Sequence, residues 1–201
     1  MPKKYVEAFF KDGSIRLSSF HQFSKHKDEQ RHDSSEGWNI TFGSGKSESM
    51  FVVQGHGNDC YVLCGSLHDT KEIQSKFPDA DGCFVIDNIL GFADSISYHI
   101  PNFISGFEGH AIYQDEKIIE KDIGIFLTEE KMENCILPDG NIDKTMLPAL
   151  NLFGTVEELF IKPSKYASQS EYRLFWQVNA KVEDYLDIKA PNARQFCRRI
   201  R

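Results

Sequence analysis

Ser14-Ile15-Arg16-Leu17-Ser18-Ser19, near one end of the chain, and Gln169-Ser170-Glu171-Tyr172-Arg173-Leu174, near the other, set charged and hydroxyl residues inside runs that read as β-strands. In the first, Ile15 and Leu17 point one way and Arg16 and Ser18 the other. The second continues through Phe175-Trp176-Gln177-Val178, so residues 172–178 are expected as a strand with apolar residues throughout. A charge in a half-buried strand costs free energy unless it is paired or used. An arginine on one strand and a glutamate on another are the raw material of a site that grips an anionic ligand and steadies a developing cation. Each also has a plainer reading. Arg16 fits the polar outer face of an edge strand, Glu171 with Arg173 an ordinary surface ion pair, and Ser66 the cap of a following helix.

Working outward from Ser14, Tyr5, Val6, Ala8, Phe9 and Phe10 recur at helical spacing within residues 3–11, and Asp12-Gly13 supplies a stop. The strand beginning at Ser14 is read as running to Phe20. A polar loop covers residues 24–37, and strands follow at 38–42, 49–54 and 60–66, separated by glycine-rich turns. Asp69-Thr70-Lys71-Glu72 opens a short helix ended by Pro78. Residues 83–86 read as a buried strand, 88–98 as a helix, 109–114 as a strand, and 115–124 as holding another around Ile118-Ile119. Thr128 has helix-start chemistry, Pro138-Asp139-Gly140-Asn141 is a turn, 143–153 is a helix candidate, and 156–161 a late strand. The expected architecture is α+β, with short helices around mostly antiparallel, mixed sheets in one domain spanning residues 1–201.

The chain has 201 residues, 40% hydrophobic and 26% charged, enough for one domain with a proper core, to which most of its 16 phenylalanines should contribute. A formal net charge of −7 gives no global positive field for DNA or membrane surfaces. The first residues lack the apolar stretch of a secretory signal, and no apolar run nears the roughly 20 residues of a membrane helix. Cys60, Cys64, Cys83 and Cys135 lie mostly in apolar surroundings, which suits reduced thiols and a cytoplasmic location.

Gly43-Ser44-Gly45-Lys46-Ser47 is no phosphate loop, because that motif needs a glycine where Ile40 stands. Cys60 and Cys64 have no second ligand pair of zinc type, so no metal is expected there. The loop carrying Asp28, Glu29, Asp33 and Glu36, with His26, Arg31 and His32 interleaved, reads first as a solvated charge run. It also keeps open a metal-dependent hydrolase or nuclease using Asp28, Asp33 and Glu36 with His32 nearby.

The ordered set of strand arginine Arg16, strand-end serine Ser66 and Glu171 in Gln-x-Glu resembles the Arg–Ser–Glu class of ADP-ribosyltransferases. The flanks are similar to a broad bacterial group sharing Gly-x-Ile-Arg-Leu-Ser-Ser (Gly13–Ser19), Asp-x-x-Glu-Gly (Asp33–Gly37) and Lys-Pro…Tyr…Glu-Tyr-Arg (Lys162-Pro163, Tyr166, Glu171–Arg173). The resemblance implies an ADP-ribosyltransferase-like fold with NAD as substrate and a protein or nucleic acid as acceptor. It implies Arg16 and Ser18 as NAD-binding residues, and Ser66 as a brace of the nicotinamide pocket. Glu171 would stabilise the oxocarbenium-like centre and Gln169, on the same strand face, would orient the acceptor nucleophile. Glutamine at 169 departs from the arginine-modifying members, and Cys64-Gly65-Ser66 lacks one hydroxyl of the family's Ser-x-Ser. Phe20, Phe23, Tyr61, Phe84 and Tyr98 are candidates to stack on nicotinamide. Toxin or phage-defence roles and an inhibitory partner follow by analogy. A non-catalytic nucleotide-binding or interaction module is the remaining alternative. The basic tail (Arg194, Arg198, Arg199, Arg201) is expected at a helix end or as a solubilising surface, ahead of a nucleic-acid contact.

Overall fold

Val6 and Phe9 fall three residues apart on one helical face, and both are buried in the computed structural model of the chain. That model describes residues 1–25, 38–44, 49–55, 57, 59–116, 118–122 and 156–201. The helix, Lys3–Asp12 (α1), ends where Gly13 turns left-handed at φ 81°, its N–H donating to the Phe9 carbonyl at 2.8 Å. A β-carbon on Gly13 would lie 2.4 Å from the Pro191 nitrogen. Gly13→Ala is therefore expected to cost about 2 kcal/mol or more, combining a disfavoured φ with a backbone clash. Chemical denaturation measures it, and an unchanged midpoint would contradict this turn.

Ser14–Ser19 (β1) and Phe20–Ser24 (α2) follow, then Trp38–Ser44 (β2), Ser49–Gly55 (β3), Cys60–Ser66 (β4) and Lys71–Lys76 (α3). Next come Phe84–Ile86 (β5), Ile89–Ser97 (α4), Phe103–His110 (β6), Ile112–Tyr113 (β7) and Ile118–Asp122 (β8). The C-terminal part holds Ile161–Lys162 (β9), Glu171–Val178 (β10), Tyr185–Lys189 (β11) and Cys197–Arg199 (β12). Single 3₁₀ turns occupy Val156–Phe160, Ser164–Gln169 and Pro191–Phe196. Thr70 and Asn88 cap α3 and α4, their side chains accepting from the Ile73 and Gly91 amides.

The main sheet has five strands in the order β11-β1-β4-β10-β6, and all of its pairs are antiparallel. Smaller sheets join β3-β2-β8, β12-β5 and β7-β9, with the β2–β8 and β7–β9 pairs parallel. The chain is thus α+β with mostly antiparallel, mixed sheets and short helices. One face of the main sheet packs Leu17, Tyr61, Leu174 and Trp176 against Phe9, Phe92 and Ile96. The other packs Val62 and Phe175 against Phe20, Leu159 and Phe160. Strand β10 is covered on both faces, which explains its consecutive apolar residues Leu174, Phe175 and Trp176. The Trp176 indole N–H donates to the Ala93 carbonyl at 3.0 Å.

Several expectations are corrected. Phe20 opens α2 and does not close β1. Residues 156–160 form a 3₁₀ turn where a strand was expected, and extended pairing is confined to β9. Val156, Leu159 and Phe160 recur at helical spacing, not in alternation. The strand expected at 109–114 is split at Ala111 and begins at Phe103. Gly106 and Gly109 disguise β6, yet the Phe160 ring packs where a Gly109 β-carbon would sit, 3.2 Å away. Strands β11 and β12 were not anticipated. Residues 128–131, 138–141 and 143–153 lie outside the described residues.

Among the described cysteines, none in a disulfide, Cys60 is buried and Cys83 and Cys197 are partly covered, while Cys64 is exposed, against its apolar surroundings in sequence. Cys135 lies outside the described residues. The basic tail is spent on the fold. Arg194 donates to the Phe10 and Lys11 carbonyls at the end of α1, while Arg198, Arg199 and Arg201 pair with Asp87, Glu7 and Asp69. Among the described residues no helix is long and apolar enough to cross a membrane.

Candidate functional site

Ser170 has φ 44°, a left-handed conformation unusual for a residue with a side chain, between the 3₁₀ turn Ser164–Gln169 and β10. It turns the chain so that Gln169 and Glu171 both reach Lys162 on β9. The Lys162 ammonium donates to Gln169 Oε1 at 2.8 Å and to Glu171 Oε2. The other carboxylate oxygen, Oε1, accepts from Arg173 Nε at 2.6 Å, and Arg173 Nη1 donates to the Leu159 carbonyl at 2.7 Å. The Glu171 backbone is held too, its N–H donating to the Tyr113 phenol at 2.7 Å and its carbonyl accepting from Ala111 N–H at 2.9 Å. Lys162, Gln169, Glu171 and Arg173 are all buried, as is Glu158 beside Leu159.

Burial opposes the charged form of Glu171, but the neighbouring Arg173 and Lys162 charges and their hydrogen bonds outweigh it. The carboxyl is held below the usual range and stays ionised at neutral pH. Among exposed carboxylates, hydrogen bonds from Ser14 and Lys189 hold Asp12 at about 2, and Asp187 is lowered chiefly by its bond from Arg16. All three have native pKa values below their unfolded ones, so the unfolded state binds more protons as pH falls. Their stabilisation is complete above about pH 5 and is lost as pH drops through the unfolded values toward the native ones. Urea midpoints should therefore be flat from pH 7 to 5 and fall steeply below 4; a flat profile to pH 2.5 would contradict these pairings.

Of the residues singled out from sequence, Ser66 lies directly opposite Glu171 in the β4–β10 register. Its hydroxyl donates to the Gln169 carbonyl at 2.7 Å and accepts from His68 N–H at 3.3 Å. Ser18 pairs with Val62, and Val62 with Phe175. Strand alternation then puts Arg16, Ser18, Cys64, Ser66, Glu171 and Arg173 on one face of the sheet. At that end β4 is uncovered, with Cys64, Gly65 and Ser66 all exposed.

Arg16 is not joined to Glu171 by any contact. Its guanidinium makes a two-pronged pair with Asp187, 2.7 and 2.6 Å, and lies 4.7 Å over the Tyr185 ring. The β1–β4 pairing covers Ser18 and Ser19 only, and two inter-strand spacings, about 10 Å, separate β1 from β10. Gln169 is likewise displaced from its expected strand position: it ends the 3₁₀ turn with its side-chain oxygen on Lys162.

Lys162 and Tyr113 were missed as site residues. Lys162-Pro163 figured only as a motif, and Tyr113 arrives through the two-residue pairing of β7 with β9, where it sits opposite Lys162. The Tyr113 phenol oxygen accepts from the Glu171 backbone N–H. Phe20 packs on Phe175, Phe84 stacks on Phe9, Tyr61 is buried with Leu17, and Tyr98 is exposed at the end of α4. Phe23 packs beside Phe20.

Among the described residues no three His, Cys, Asp or Glu side chains gather as metal ligands. Asp28, His32, Asp33 and Glu36 lie outside those residues. Compared with protein-family models, curated proteins and solved structures, the chain matches none.

Proposed function

We propose that the chain is an NAD-dependent ADP-ribosyltransferase that cleaves the nicotinamide glycosidic bond and passes ADP-ribose to a protein or nucleic-acid acceptor. One observation carries this reading. An ionised glutamate, Glu171, lies opposite exposed Ser66 on the sheet face that also bears Arg16. A fixed carboxylate suits the positive charge that develops at the ribose as nicotinamide leaves. Arg16 would take the NAD phosphates by exchanging Asp187 for them. The Arg16–Asp187 pair is half exposed, and such pairs are worth at most about 1 kcal/mol, so a phosphate oxyanion displaces the carboxylate at little cost. Cytoplasmic action as a toxin or phage-defence effector, restrained by an inhibitory partner, extends the same reading.

A second reading, a ligand-binding module without turnover, is favoured by one feature. Both Glu171 oxygens are already taken by cations, which weakens the field they present to a substrate. Chromatographic detection of nicotinamide release, run beside a thermal shift with NAD, separates the two. The transferase raises Tm with NAD and releases nicotinamide; the module gives the Tm shift alone. No shift and no release would reject both.

A further inference from the structure

We propose that Lys162 is the positioning residue of Glu171, its ammonium fixing where the carboxylate points by gripping it together with the Gln169 side chain. The catalytic meaning of this grip rests on the transferase reading; the grip itself does not. A buried ammonium has three donors to satisfy. Those of Lys162 meet Glu171 Oε2, Gln169 Oε1 at 2.8 Å and the face of the Tyr166 ring, 5.1 Å from its centre. With its protons so engaged, this lysine is neither a phosphate ligand nor a nucleophile.

Arg173 donates both to Glu171 and to the Leu159 carbonyl, fastening the carboxylate to the turn 156–160. The Lys162 side chain, by contrast, meets the segment that carries Glu171, at Tyr166, Gln169 and Glu171. That segment is shaped to return to it: β9 leads through Pro163 into the 3₁₀ turn, and left-handed Ser170 redirects the chain. The Lys162 carbonyl accepts from the N–H of Gln114, the residue after β7, at 3.0 Å, anchoring the lysine beside the strand that brings Tyr113. Among the described residues Glu171 is met by Lys162 from β9, Arg173 from its own strand and Tyr113 from β7, with Cys64 opposite Arg173 on β4 and buried Glu158 on the turn that holds Arg173.

The test follows the Glu171 carboxyl by carbon-13 NMR titration, and nicotinamide release from NAD against pH, in wild type, Lys162→Met and Lys162→Arg. With methionine, the Glu171 midpoint should rise by about one pH unit or more. Release at neutral pH should fall roughly tenfold, with its acid limb displaced upward. Arginine should restore both towards wild type. A folded Lys162→Met protein with an unmoved midpoint overturns the proposal.

If methionine prevents folding, the wild type decides. Its Lys162 ammonium should give a resolved, slowly exchanging NH₃⁺ signal that vanishes in Glu171→Gln, and absence of that signal in wild type also overturns the proposal. A wild type that releases no nicotinamide rejects the transferase reading, while the carboxyl titration still judges the grip.

Discussion

Replacing Glu171 by leucine is expected to cost about 3–5 kcal/mol of stability, because it removes the buried carboxylate that Lys162 and Arg173 share. The side chains of all three are under a tenth exposed, at 8%, 9% and 2% for Lys162, Glu171 and Arg173. Water cannot replace the lost partner. For a domain of this size the loss should lower Tm by roughly 6–20 °C. The triple replacement Lys162→Met, Glu171→Leu, Arg173→Met should recover much of it, since apolar packing of similar volume removes the desolvation cost with the charges. Recovery stops short because the Leu159 carbonyl loses its donor. Urea denaturation reads both variants. A Glu171→Leu midpoint equal to wild type would mean that the three charges do not share one buried cluster.

The second large effect is on chemistry. Glu171→Gln keeps the shape of the side chain but removes the charge that the leaving of nicotinamide calls for, and it should lower nicotinamide release at least about a hundredfold. Glutamine also turns an amide N–H₂ toward one of the two cations, so some stability is lost. The comparison is therefore made at a temperature where circular dichroism shows both proteins folded. Release by the variant at the wild-type rate would remove Glu171 from the reaction and leave it a structural residue.

Much of the main sheet could be read from alternation and capping. Ile15 and Leu17 against Arg16, the Gly13 stop and Thr70 at the opening of α3 are local signals, and each holds in the structure. The failures have identifiable causes. Gly106 and Gly109 suppress the strand signal of β6 because their role is to admit the neighbouring strand and the Phe160 ring. Strand β11 alternates Leu186 and Ile188 toward the core with Tyr185, Asp187 and Lys189 outward, a signal only five residues long, and its pairing with β1 defines it.

The candidate site was legible only in outline. Glu171, Ser66 and Arg16 stood out as polar residues in strands, and they do share a sheet face. Their partners were hidden because each comes from elsewhere in the fold. Asp187 lies 171 residues from Arg16, Tyr113 lies 58 from Glu171, and Lys162 is brought back by a left-handed serine that no sequence period announces. Arg173, read as half of a surface ion pair, is among the most deeply buried side chains of the described residues.

The central claim is that Arg16, Ser66 and Glu171 serve a single bound nucleotide, and a crystal structure of the Glu171→Gln protein with NAD tests it most directly. The expected result is NAD lying across the exposed end of β4. Its phosphates should rest on an Arg16 that has left Asp187, and its nicotinamide ribose should lie within hydrogen-bond distance of residue 171. NAD bound on another face, with Arg16 still paired to Asp187 and Lys162 still closed over residue 171, would contradict the account.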